Sequence, residues 1–162
     1  MYGLIFYALF FGIALLVIYL RNIDRNKNYV LSVEVLAGLN AMHLENVKCE
    51  AFSSGMKGKG YYFSRCELFI TGDALVIFGL GRIKWLRQLT DPLILTTNSA
   101  AYGFKLPGAK LIKPKNINLH SFGGDIYIEF VQPGFIDTNV EFRLKGISNE
   151  QKERLQFLDT IT

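Results

Sequence analysis

Residues 125–160, DIYIEFVQPGFIDTNVEFRLKGISNEQKERLQFLDT, place two alternating runs, a turn and an amphipathic segment in succession. In 125–132 Ile126, Ile128 and Phe130 fall on one side, with Tyr127, Glu129 and Val131 on the other. After Pro133-Gly134, the run 138–145 sets Val140, Phe142 and Leu144 against Glu141, Arg143 and Lys145. A period of two with one apolar side is the pattern of half-buried antiparallel strands. Ser148-Asn149-Glu150-Gln151 then has the form of a capping box, with Ser148 as N-cap and Gln151 reaching back. The helix it opens, over about 149–160, carries Leu155, Leu158 and Ile161 as an apolar stripe, with Phe157 beside it. One such helix after a series of strands is expected to plug or cover a sheet.

Upstream of this unit the chain is punctuated in the same way. Residues 61–71 and 74–80 are aromatic and β-branched and meet across Gly72-Asp73, which predicts a hairpin. Further strands are expected at 83–89 and 93–98, separated by Asp91-Pro92, and around Pro114 at 114–121. Seven strands and a terminal helix in this order resemble the pleckstrin-homology (PH) superfold and its bacterial PH-like and GRAM-like relatives. The resemblance covers roughly residues 48–160 and lies in element order. It implies a mainly β, α+β domain in which two orthogonal antiparallel sheets form a seven-stranded barrel closed by the C-terminal helix. The terminal helix here carries Phe157 and Leu158 where eukaryotic members usually have a tryptophan, and the sole tryptophan is Trp85. The basic phosphoinositide-gripping pattern of many PH domains does not appear cleanly across residues 71–75.

The other end of the chain has a different character. Met1–Leu20 contains no charged side chain, and a helix of that length rises about 30 Å, the thickness of a bilayer's hydrocarbon core. A cleaved signal peptide would begin with basic residues and end in small ones, and neither feature is present. Residues 1–20 are therefore expected to form a transmembrane helix. The flank Arg21–Lys27 has three basic residues against one acid, which predicts an outside N-terminus and a cytoplasmic C-terminal domain at the cell membrane. Residues 21–47 are expected to form the basic flank and a juxtamembrane helix, from Leu31, Val35, Leu39 and Met42 at helical spacing; an extended entry strand is the alternative. Residues 48–162 would form the barrel domain.

Composition narrows the function. Cys49 and Cys66 are too few for a disulfide scaffold and lack zinc spacing, so two buried reduced thiols on neighbouring strands are expected. Neither His43 nor His120 sits in a catalytic motif, and no G-x-S-x-G, H-E-x-x-H or Walker sequence occurs. A non-enzymatic protein with no cofactor and no metal is expected. Charge is uneven: residues 48–120 hold eleven Lys or Arg against four acids, whereas residues 121–162 hold four against seven. Basic residues interleaved with aromatics suit an anionic bilayer surface. The expected contact set is Lys57, Lys59, Arg82, Lys84, Arg87, Lys110, Lys113 and Lys115. The partners expected are anionic lipid headgroups or an acidic protein, with no nucleic acid. The rival expectation is a protein-interaction scaffold of a membrane complex, with no lipid specificity.

Overall fold

A computed structural model of the chain describes residues 2–54, 61, 63–81, 89–102, 105–133 and 137–161, with backbone alone for residues 2–5 and 8. Helix α1 runs Tyr2–Gly38. The strands follow as β1 (Met42–Ser54), β2 (Arg65–Ile70), β3 (Ala74–Leu80), β4 (Leu93–Thr96), β5 (Lys110–Leu111), β6 (Pro114–Asn118), β7 (Ile126–Gln132) and β8 (Thr138–Lys145). A short helix α2 (Ser99–Tyr102) lies between β4 and β5, and α3 (Asn149–Glu153) with a 3₁₀ turn (Gln156–Thr160) ends the fold.

The eight strands form one mixed sheet in the order β5-β4-β3-β2-β1-β8-β7-β6, with β4 and β5 parallel and every other pair antiparallel. Chain connectivity alone requires this sheet to curl. Laid flat, its outer strands would stand about 33 Å apart at about 4.8 Å per step. Yet those outer strands are β5 and β6, and from Leu111 to Pro114 the chain reaches only about 11 Å. The sheet therefore bends into a half-barrel that brings its two edges together.

The curl encloses the larger core. Leu68, Ile70, Leu75, Ile77, Ile128, Phe130, Val140, Phe142 and Leu144 point inward, closed by Leu155 and Leu158 from the C-terminal segment. Phe142 sits at the centre, its ring 5.2 Å from Phe63 and 5.4 Å from Phe130. Gly79 leaves room for this aromatic group, since a Cβ there would meet the Phe63 ring at 2.4 Å. A second core lies on the outer face, where Phe69, Ala74, Val76 and Phe78 meet Leu36 and Tyr29 of α1. With both faces covered, β3 is a continuous apolar run, and β2 is one apart from Arg65 at its start and Glu67.

Helix α1 ends without glycine or proline at the stop. Asn40 adopts a positive φ, Ala41 N donates to Leu36 O and Asn40 N donates to Ala37 O, which together form a Schellman cap. The chain then enters β1 directly. The expected helix over 29–47 is thus helical to Gly38 and extended from Met42.

Three further expectations are corrected. Among the described residues no helix is long and apolar enough to cross a membrane. Beyond the apolar run come Arg21, Asp24, Arg25 and Lys27, and the helix continues through them without a break to Gly38. In place of a span over 1–20 the structure has one long helix, apolar and exposed in its first half and packed on the sheet in its second. The seven-stranded barrel becomes an eight-stranded curled sheet, because β1 begins at Met42 and the segment around Pro114 divides into β5 and β6. The terminal helix is α-helical only to Glu153. The following 3₁₀ turn brings Leu155 and Leu158 to the same side, where both are fully buried. The strand expected at 83–89 lies outside the described residues except for Leu89, which bridges to Leu80.

Elsewhere sequence and structure agree closely. The hairpin β2–β3 turns at Gly72-Asp73, with Thr71 N donating to Ala74 O at 2.9 Å. The capping box is complete: Ser148 Oγ accepts from Gln151 N at 3.3 Å, and Ser148 N donates to Gln151 Oε1 at 2.9 Å.

Candidate functional site

Three of the eight expected contact residues are described, and the structure separates their roles. Lys110 opens β5, and its Nζ lies 3.4 Å from Asp91 Oδ2. Asp91 Oδ1 in turn lies 3.5 Å from Arg25 Nε on α1, so one carboxylate joins the helix to the β4–β5 edge. Lys115, on β6, pairs with Glu129 Oε1 at 3.0 Å. That ammonium, together with the Asn139 amide, holds the Glu129 carboxyl below its ordinary range. Lys113 is exposed and makes no ion pair among the described residues. Lys57, Lys59, Arg82, Lys84 and Arg87 lie outside the described residues, as do Trp85 and the Gly55–Gly60 segment.

The described flanks still locate part of this set along the chain. Gly81 and Leu89 border residues 82–88, and both stand at the end of the sheet marked by Leu80, Asp91, Leu93 and Lys110. This is the end towards which α1 rises, with Arg25 beside Asp91 and Asn28 beside Gly108. Tyr61 also belongs here: burial, and then the Asp91 carboxylate, push its hydroxyl above the usual tyrosine value.

The apolar first half of α1 is the most unusual surface on the molecule. The large apolar side chains from Phe6 to Leu20 are 45–71 % exposed, all round the helix, and none belongs to either core. Soluble monomers rarely leave more than a few hundred Å² of contiguous apolar surface open to water. A helix apolar on every side needs an apolar surround.

Where the edges of the sheet meet lies a groove of about 1060 Å³ lined by Tyr61, Ile112, Phe130 and Ile161, with Lys110 and Lys113 among the residues around it. Two other hollows are smaller and more polar. One, of about 590 Å³, is bordered by His43, Glu45, Lys48 and Lys145; the other, of about 280 Å³, by His120, Lys152 and Glu153.

Sequence reasoning missed a buried polar tie. Glu67, 4 % exposed, interrupts the apolar run of β2 and faces α1. Its Oε2 accepts a short hydrogen bond from the Tyr29 hydroxyl and lies 3.2 Å from His43 Nε2. The His43 ring stacks on Phe69 at 4.1 Å. A carboxylate, an imidazole and a phenol together have the makings of acid–base chemistry, but here the carboxylate is closed beneath α1. Its effect is to lock the helix to β1 and β2, satisfying a polar group that burial would otherwise penalise. The signal available was a lone acid inside an apolar strand.

The thiols lie where expected, free and buried on adjacent strands. The side-chain hydrogen bond that Cys66 shares with Cys49, then burial, push the Cys66 thiol far up, which keeps it protonated and unreactive. Among the described residues no group of His, Cys, Asp or Glu is arranged to hold a metal ion. No protein-family model, curated protein or solved structure matches this chain.

Proposed function

We propose that this protein is a non-enzymatic, PH-like binding module held at the cytoplasmic face of a membrane, with its basic end against anionic headgroups. The observation that carries this reading is the exposed apolar collar of Phe6–Leu20, which passes directly into Arg21, Arg25 and Lys27. Set against a bilayer surface without crossing it, the first half of α1 would gain part of the apolar surround that the sheet does not give it. The basic flank would then fall among phosphates, where each cation contributes on the order of 1 kcal/mol. The PH-like likeness rests on element order and on a curled sheet closed by a C-terminal helical segment. Tethering raises local concentration, so each headgroup contact can be weak.

Vesicle flotation of the full chain tests the headgroup part. Partition into vesicles containing phosphatidylglycerol should exceed partition into pure phosphatidylcholine at low salt, and the excess should shrink as salt shortens the screening length. Replacing Lys57, Lys59, Arg82, Lys84, Arg87 and Lys113 together by glutamine should reduce the excess to the part that the Arg21–Lys27 flank supplies. Lys110 and Lys115 are left in place because Asp91 and Glu129 occupy them. Equal partition of the unmodified chain into both vesicle types at low salt would refute headgroup binding.

A further inference from the structure

We propose that the groove where the two edges of the curled sheet meet binds an anionic amphiphile with a single apolar chain, the chain lying on Tyr61, Ile112, Phe130 and Ile161 and the head on Lys113. The inference deepens the membrane reading and rests on it for the source of the ligand.

The groove exists because the edges meet without pairing. β7 loses its β6 neighbour after the Pro114–Phe130 pair, so Val131 and Gln132 run on with only β8 beside them. Opposite, β5 is two residues long and hydrogen-bonds only to β4. The space between, about 1060 Å³, is at the upper end of the usual range for small-molecule sites, roughly 300–1,000 Å³. Its floor is aromatic and aliphatic, a surface that takes a hydrocarbon chain by burial alone.

Charge at the rim selects the head. Of the two lysines that line the groove, Lys110 already pairs with Asp91. Lys113 is left to a ligand. A carboxylate or phosphate head on that ammonium forms a charge-assisted hydrogen bond, whereas a cationic head is repelled.

The test uses the full chain held in a non-ionic amphipol and titrated with a dansyl-labelled undecanoate. Saturable binding at one site per chain is expected, displaced by dodecanoate and by lysophosphatidylglycerol but not by dodecyltrimethylammonium or inorganic phosphate. Lys113→Glu should weaken binding at least about tenfold. Leu111→Glu with Val131→Glu should abolish it; both side chains are part-exposed, and an unchanged far-UV spectrum checks that the fold is kept. Non-saturating uptake that is the same in all variants would overturn the proposal, as would equal displacement by the cationic amphiphile. Displacement by phosphate alone would show an anion site with no role for the chain, and would also overturn it. Because no bilayer is present, failure here is distinct from failure of the flotation experiment.

Discussion

A chain carrying Ile13→Lys and Leu16→Lys is expected to leave the vesicle fraction almost completely while its sheet domain unfolds at the same denaturant concentration as before. Both side chains are more than half exposed and touch neither core, so the domain has nothing to lose. In the bilayer the effect is large. Each lysine removes the favourable apolar contribution of the side chain it replaces, about 1.5–3 kcal/mol. Two such changes lower partition at least about a hundredfold. The paired conservative variant, Ile13→Leu with Leu16→Ile, should float like the unmodified chain. If both variants remain with the vesicles, the apolar half of α1 is not what holds the protein there.

Phe142→Ala is expected to cost about 3–5 kcal/mol, the range for a fully buried phenylalanine whose neighbours cannot close the gap. Its ring is surrounded by those of Tyr61, Phe63 and Phe130, contributed by the segment before β2 and by β7, and its backbone lies in β8. These rings fix the curvature of the sheet, so the hole left behind cannot collapse without unbending it. Against a total stability of about 5–15 kcal/mol for a domain, such a loss moves the unfolding midpoint far down. Phe122→Ala supplies the contrast: that side chain is 95 % exposed, and its removal should leave the midpoint in place. Urea titration followed by far-UV circular dichroism measures both. Equal midpoints for the two variants would contradict the core described for the half-barrel.

How much of this was legible in the sequence depended on how cleanly each element separates its faces. β7 and β8 have one buried and one open face, so their alternation was plain and their limits fell within a residue of expectation. The Ser148 capping box is a local device and needs no tertiary context. β1 was obscured because its inward face, with Met42, Leu44, Val47 and Ala51, is only part-buried, and because a bulge at Glu45-Asn46 disrupts the alternation. The stop before it was hidden as well, since Asn40 performs the turn that glycine usually makes. The closing of the sheet was a tertiary fact, arising from β1 pairing with β2 through its first half and with β8 through its second.

The candidate site divides in the same way. The basic residues were visible as charges, but charge alone did not reveal that Lys110 and Lys115 have carboxylate partners drawn from distant segments. The roles of Asp91 and Glu67 arise only when α1 lies on the sheet. The apolar start of the chain was plain in the sequence. Its extent was misjudged, because the helix does not stop at the charged flank but continues as a packed element of the domain.

The most direct test of the central claim is the accessibility of spin labels on the full chain, placed singly at Leu16 and at Glu34, in vesicles containing phosphatidylglycerol. The native Cys49 and Cys66 are buried and do not compete for the label. The two positions lie on one helix, about 27 Å apart along its axis. The account predicts that the label at Leu16 is reached by dissolved oxygen and shielded from a water-soluble nickel chelate, while the label at Glu34 shows the reverse. Equal nickel accessibility at both positions would place the whole helix in water and contradict the proposal that this module is held in a membrane.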